Sequence, residues 1–170
     1  MVFKKEESFW VQLRDILIYS LLVLFCVVTS KASANDVYFA CDSNGVKYQV
    51  FKNKKDEVVY IHQKNNKTDF MYSEVNGYSR FWLASVPFSG GGMAYIFFSQ
   101  NNYDYYLYQA MAYNLEPVLD VLGVMVWHEG RMISNRTCNG EGNGLSNLAH
   151  KNLPKIGVNM PVLEAVVAQR

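Results

Sequence analysis

From Val37 to Cys138 the chain alternates short runs of β-branched and aromatic residues with turn signals. The second run is the clearest: Val46, Tyr48 and Val50 fall on one face of a strand, and Lys47 and Gln49 on the other. Reading on in this way predicts strands over 37–41, 46–51, 58–62, 70–72, 80–86, 93–98, 103–108, 121–127 and 131–138. Asn44-Gly45, Asn76-Gly77 and Glu129-Gly130 supply hairpin turns, with Asn-Gly the strongest short marker of that kind. Pro87 is expected to end the fifth strand and to open a loop, Phe88-Ser89-Gly90-Gly91-Gly92. Residues 109–120 show no period, which leaves a loop or one helical turn.

About eight to nine closely spaced strands predict an all-β domain, a small antiparallel barrel or sandwich. After Cys138 the pattern is lost. Residues 139–147 are rich in Gly and Asn, 151–161 have no period, and only 162–168 has the makings of a short helix. The expected division is therefore a β domain over 35–138 and a partly flexible, loosely ordered tail over 139–170, draped on that domain.

The N-terminus carries a different signal. Lys4 and Lys5 precede an apolar run from Ile16 to Val28, and a polar stretch then ends in Ala32-Ser33-Ala34. This is the plan of a secretory signal peptide over 1–34, cleaved after Ala34 and directing the chain to the periplasm. The run is shorter than the roughly 20 residues that span a bilayer. An uncleaved anchor is the alternative, since Glu6, Glu7, Arg14 and Asp15 make the leading region long and mixed in charge. Bulky Leu24 and Phe25 before Cys26 argue against lipidation.

Export changes the meaning of the cysteines. Without the leader two remain, Cys41 and Cys138. An even pair in an oxidising compartment reads as a disulfide; two free buried thiols are the competing reading. The leader also takes four of the 16 Lys/Arg and three of the 15 Asp/Glu, leaving 12 of each and no net formal charge. No basic stripe is present, so nucleic acid is not an expected partner. The one cluster, Lys52, Lys54 and Lys55, sits in a short turn, where a solvated face explains it.

Candidate chemistry is sparse. His62, His128 and His150 stand in no metal-ligand spacing, and both mature cysteines are better used in a bridge, so no metal and no cofactor is expected. Ser89 is not enclosed in a Gly-x-Ser-x-Gly elbow. Three consecutive glycines can cradle an anion through backbone N–H groups, but no helix pattern or lysine follows them. Asp104 and Glu129 are the acids within the aromatic half, and nothing in the spacing brings them together. Asn66-Lys67-Thr68 and Asn135-Arg136-Thr137 match the glycan acceptor pattern, which recurs by chance. The expectation is a protein that is not an enzyme.

The aromatic half asks for another explanation. Tyrosines Tyr95, Tyr103, Tyr105, Tyr106, Tyr108 and Tyr113 follow the small-residue loop. Alternation places Tyr103, Tyr105 and Leu107 on one face and Tyr106 and Tyr108 on the other, so one set is expected to be exposed. Rigid amphipathic rings suit a binding surface; the plainer account is that tyrosine favours strands. A projecting Ser-Gly loop beside such rings is what a cleft-filling inhibitor presents.

The frame of Cys41, Cys138, Ser89-Gly90 and Tyr95 resembles the small periplasmic lysozyme inhibitors of the MliC/PliC type. That family is built on an exported β-barrel with a disulfide and a Ser-Gly-x-x-Tyr loop that plugs the lysozyme cleft. Here Tyr95 stands six residues after Ser89 rather than four, and Phe81-Trp82 precedes the loop. Ser79-Arg80-Phe81, the stretch from Val86 to Gly92, Tyr95-Ile96 and Asp104-Tyr105-Tyr106 are similar to exported bacterial proteins, among them immunity proteins against cell-wall hydrolases.

The resemblance implies a protein partner, a peptidoglycan-cleaving enzyme such as a lysozyme or amidase. Phe88, Ser89, Gly90, Gly91, Gly92 and Tyr95 would form the target-binding loop, and Tyr103, Tyr105, Tyr106 and Tyr108 the surrounding contact surface. The alternatives are an envelope structural module working through the tail or an edge strand, and a small-ligand carrier using the barrel interior.

Overall fold

The computed structural model describes residues 35–74, 80–114, 116–139 and 142–157. The expected signal peptide, the Asn76-Gly77 turn and the helix expected over 162–168 lie outside the described residues.

Among the described residues nine strands form two antiparallel meanders. The first sheet holds β1 (Asp36–Ser43), β2 (Val46–Lys52), β3 (Val58–Lys64) and β4 (Lys67–Ser73) in that order. The second holds β5 (Trp82–Phe88), β6 (Gly91–Gln100), β7 (Tyr103–Ala112), β8 (Leu119–His128) and β9 (Arg131–Thr137). Tight turns set the registers. Asn44-Gly45, Asn65-Asn66, Asn101-Asn102 and Glu129-Gly130 each place both central residues at positive φ, the geometry whose twist matches the flanking strands. Asn53 shapes the β2–β3 turn, its Oδ1 accepting from Lys55 N at 2.8 Å and Glu57 N at 3.1 Å. Lys52 pairs with Asp56 across that turn and Lys54 and Lys55 face water, so the lysine cluster is an ordinary solvated loop.

The main core lies between the sheets. Phe39, Tyr48, Val50, Tyr60 and Tyr72 of the first sheet meet Leu83, Ile96, Phe98, Leu107 and Val124 of the second. Phe98 is its hub: its ring stacks on Tyr105 at 4.6 Å and on Tyr72 at 4.7 Å, with Tyr60 at 5.1 Å. A disulfide joins Cys41 in β1 to Cys138 just past β9, tying the first strand to the end of the second sheet.

Three expectations are corrected. Pro87 does not end β5, which runs on to Phe88. The N–H and C=O of Leu83 point away from β6, bonding Pro154 and Ile156 instead. By the two-residue period Pro87 faces the same outer edge, so its missing N–H costs the ladder nothing. Next, residues 109–112 are neither loop nor helix: β7 continues to Ala112, and β8 begins at Leu119. Finally, the two tyrosine faces of β7 are not divided into core and surface. Tyr106 is 4% exposed and Tyr108 fully buried, in a second core with Met93, Tyr95 and Met125. The second sheet is apolar on both faces.

Past Cys138 the chain runs back along the open edge of β1: Asn139 N donates to Asp42 O, Ala40 N to Asn143 O and Ser146 N to Tyr38 O. Ser146 then caps a short helix α1 (Asn147–Asn152), its Oγ accepting from Ala149 N at 3.2 Å. Ala149 and Leu153 enter the main core. Residues 154–156 cross to the other sheet and bond β5 at Leu83, in parallel. The described part of the tail therefore closes one edge of each sheet.

Candidate functional site

The glycine-rich stretch is not a projecting five-residue loop. β5 and β6 pair as far as Phe88 with Gly91, leaving only Ser89-Gly90 as the turn. Gly90 takes a positive φ of +75°, and a Cβ there would strike the Asn114 side chain. Its carbonyl accepts from Tyr113 N at 2.7 Å, which pins the tip to the end of β7. Gly91 lies flush against the carbonyl of Met111 with no room for any side chain. Gly91 and Gly92 are strand residues, so the three glycines form no anion-binding nest.

The remaining candidates separate. Ser89 and Gly90 are exposed at the tip, and Phe88 packs toward the second core. Tyr95 is 1% exposed, its ring 5.6 Å from that of Tyr106; it offers no surface, which corrects its assignment to the contact loop. Tyr106 and Tyr108 are excluded from a contact surface for the same reason, and half-buried Tyr105 is stacked on Phe98 and Phe70. Tyr103 pairs with Gln100 at the far end of β6. Ten residues of strand separate it from the tip, about 30 Å at roughly 3.3 Å per residue. There it stacks on His128 at 4.3 Å, while His62 stacks on Tyr48 at 5.0 Å. Asp104 accepts from Ser99 Oγ, and Glu129 sits in the β8–β9 turn. Among the described residues no three His, Cys, Asp or Glu side chains are grouped to hold a metal.

Beside the tip the structure adds what the pattern along the chain did not show. A groove of about 690 Å³ runs along the sheet between Ser85 and Pro87 of β5, Gly92 and Ala94 of β6, and Gln109 and Met111 of β7. Leu145 and His150 form its far wall, and Tyr113 stands at its mouth, 65% exposed. The wall is fixed by Leu145 N donating to Gln109 Oε1 at 3.1 Å. Gln109 Nε2 and the Tyr113 hydroxyl both approach Met111 Sδ. His150 is the only titratable group among these apart from Tyr113. Partial burial, with Lys155 close by, holds its imidazole below the usual histidine range, favouring the neutral form. The volume suits a small ligand or a few side chains, within the roughly 300–1,000 Å³ usual for binding pockets.

Met111, Leu145 and His150 come together only through folding: β7 extends four residues past the predicted end of its tyrosine run, and the tail packs back. Tyr113 was legible as one of a series of tyrosines, but not as the exposed one. No protein-family model matches the chain, and neither a curated protein nor a solved structure matches it significantly.

Proposed function

We propose that the mature domain works outside the cytoplasm as a non-catalytic binding protein that blocks a peptidoglycan-cleaving enzyme. In this reading the β5–β6 tip enters the enzyme's cleft. The observation that carries it is the tip itself: exposed Ser89-Gly90, held rigid by the Tyr113 N–H on Gly90 O, with the exposed Tyr113 ring beside it. A preformed small-residue projection loses little conformational entropy on docking. Ser89 Oγ and the tip amides hydrogen-bond the catalytic carboxylate of the target, and Tyr113 supplies contact area in place of buried Tyr95. The Cys41–Cys138 bridge is compatible with export and supports a periplasmic site of action.

The test is a cell-wall turbidity assay with lysozymes and secreted amidases, using the native protein, Ser89→Arg, Tyr113→Ala and Tyr103→Ala. The two tip variants lose inhibition with unchanged melting temperature, and Tyr103→Ala inhibits normally. Full inhibition by a Ser89→Arg, Tyr113→Ala double variant would remove the tip from the mechanism. The groove supports a second reading, a carrier of a small apolar ligand, with its site on the sheet surface because the space between the sheets is filled by aromatic rings. Ligand co-purifying with the native protein and lost from Ala94→Trp would favour it.

A further inference from the structure

The floor of the groove continues the sheet face that forms the main core. In the β5–β6–β7 register Leu83, Ile96 and Leu107 stand opposite one another, and all three lie in that core. Two residues along, the same face presents Ser85, Ala94 and Gln109, and two further along Pro87, Gly92 and Met111. These two rows are the groove's floor. Alanine and glycine in the middle strand, where the core row has isoleucine, give it depth. The far wall comes in close because residue 144 is glycine: a Cβ there would strike Gln109 Oε1.

The polar groups of this floor are set as donors. Gln109 Oε1 accepts from Leu145 N, which fixes the amide so that Nε2 turns to Met111 Sδ, 3.7 Å away. The Tyr113 hydroxyl approaches the same sulfur at 3.8 Å. A thioether is a weak acceptor. An amide N–H and a phenol O–H therefore converge where an oxygen would serve both better.

Charge narrows the choice of oxygen. Among the described residues that line the groove, every side chain is uncharged when His150 is neutral, the form that partial burial and nearby Lys155 favour. Lys155 itself is engaged, donating to His150 O at 2.7 Å. Across β7 from the floor stands Asp120, opposite Met111 in the β7–β8 register, and opposed side chains lie about 4.5–5.5 Å apart. An anion over Met111 would face that carboxylate with no cationic side chain in the lining to offset it.

We infer that the groove takes a neutral acyl compound, an alkyl chain ending in an ester or amide carbonyl. Its carbonyl oxygen sits between Gln109 and Tyr113, and its chain lies over Gly92 and Ala94, beneath Leu145 and His150. Asp120 turns the free acid away. The inference rests on the carrier reading of the groove and is independent of enzyme inhibition. Lipid esters and acylated proteins or peptides share this chemistry.

The experiment titrates the isotope-labelled native chain with N-methyldecanamide, methyl decanoate and decanoate at about pH 7.5, where decanoate is ionised. Backbone amide signals are followed by NMR. Both neutral probes move the signals of Gly92, Ala94, Met111 and Leu145, and decanoate binds at least about threefold more weakly. Tyr113→Phe, its fold checked by circular dichroism, weakens the amide about threefold, as loss of one hydrogen bond does. Asp120→Asn closes most of the gap to decanoate. A tighter amide than ester, or the reverse, supports the inference either way and points to the peptide or the lipid source. Groove signals that stay in place with all three probes overturn the inference and the carrier reading together. Saturable binding of all three with equal affinity, or with decanoate the tightest, overturns the inference and leaves the carrier reading standing.

Discussion

The ring of Tyr108 lies across Gly123 of the neighbouring strand, and its hydroxyl donates to Asn135 Oδ1 at 3.2 Å. Tyr108 and Gly123 are opposed residues in the β7–β8 register, and a Cβ at Gly123 would collide with the tyrosine ring. A side chain at position 123 must therefore lift the ring off the sheet. Gly123→Val is expected to destabilise the domain by about 1–3 kcal/mol, as over-packed cores do. The midpoint of urea unfolding measures it, and Gly123→Val combined with Tyr108→Ala recovers part of the loss.

Glycines at the tip differ in kind, and this separates folding from binding. Gly91→Ala drives a methyl into the Met111 carbonyl, backbone against backbone, and should cost at least about 1–3 kcal/mol. At Gly92 the nearest atom to a new Cβ is Val86 O at 3.3 Å, which a small shift accommodates. Gly92→Ala is expected to melt within a few degrees of the native protein. Equal melting temperatures for the two variants would contradict the packing at Gly91.

The bridge closes a loop with a sequence separation of 97 residues. Chain-entropy arguments assign such a closure about 4–5 kcal/mol. Replacing both cysteines by alanine should lower the unfolding free energy by that order, and dithiothreitol should do the same to the native protein. Denaturant curves under oxidising and reducing conditions provide the check.

Alkaline titration probes the tyrosines. Burial pushes the hydroxyls of Tyr60, Tyr108, Tyr105 and Tyr48 up, with the Arg136 charge opposing it in part at Tyr48. Their folded pKa values lie above the unfolded value near 10, so the folded state holds these protons more tightly. The stability they contribute is complete below about pH 10 and is lost as pH rises beyond it. Absorbance at alkaline pH should show one set of tyrosines ionising normally and a second set ionising only as the strand signal is lost. A single normal transition in the folded domain would show that these rings are wet.

The strands were legible in the sequence because period and turn chemistry agree: Val46 to Val50 alternate, and Asn44-Gly45 both demands and permits positive φ. The sulfur pairing was legible from the number of cysteines and the expected compartment alone. Pro87 misled, because a proline at an outer edge and one that ends a strand look alike until the neighbouring strand is known. The tyrosine run misled for a related reason. Alternation says which rings share a face, but Tyr106 and Tyr108 are buried by the sheet's having two apolar faces, a tertiary property. The groove could not be read at all, since Met111, Leu145 and His150 are brought together by the return of the tail.

That return sets the order in which the molecule can be completed. β1 is made before the other eight strands, but the residues that bond its free edge, Asn139, Asn143 and Ser146, and its sulfur partner Cys138 are made after all of them. As the chain is synthesised, the four-stranded meander must wait with an apolar face and an unmatched border until the five-stranded sheet and the stretch after it have been made. Such late, distant contacts make for slow acquisition of structure. A chain interrupted before Cys138 would be left as a sticky fragment rather than a smaller working domain.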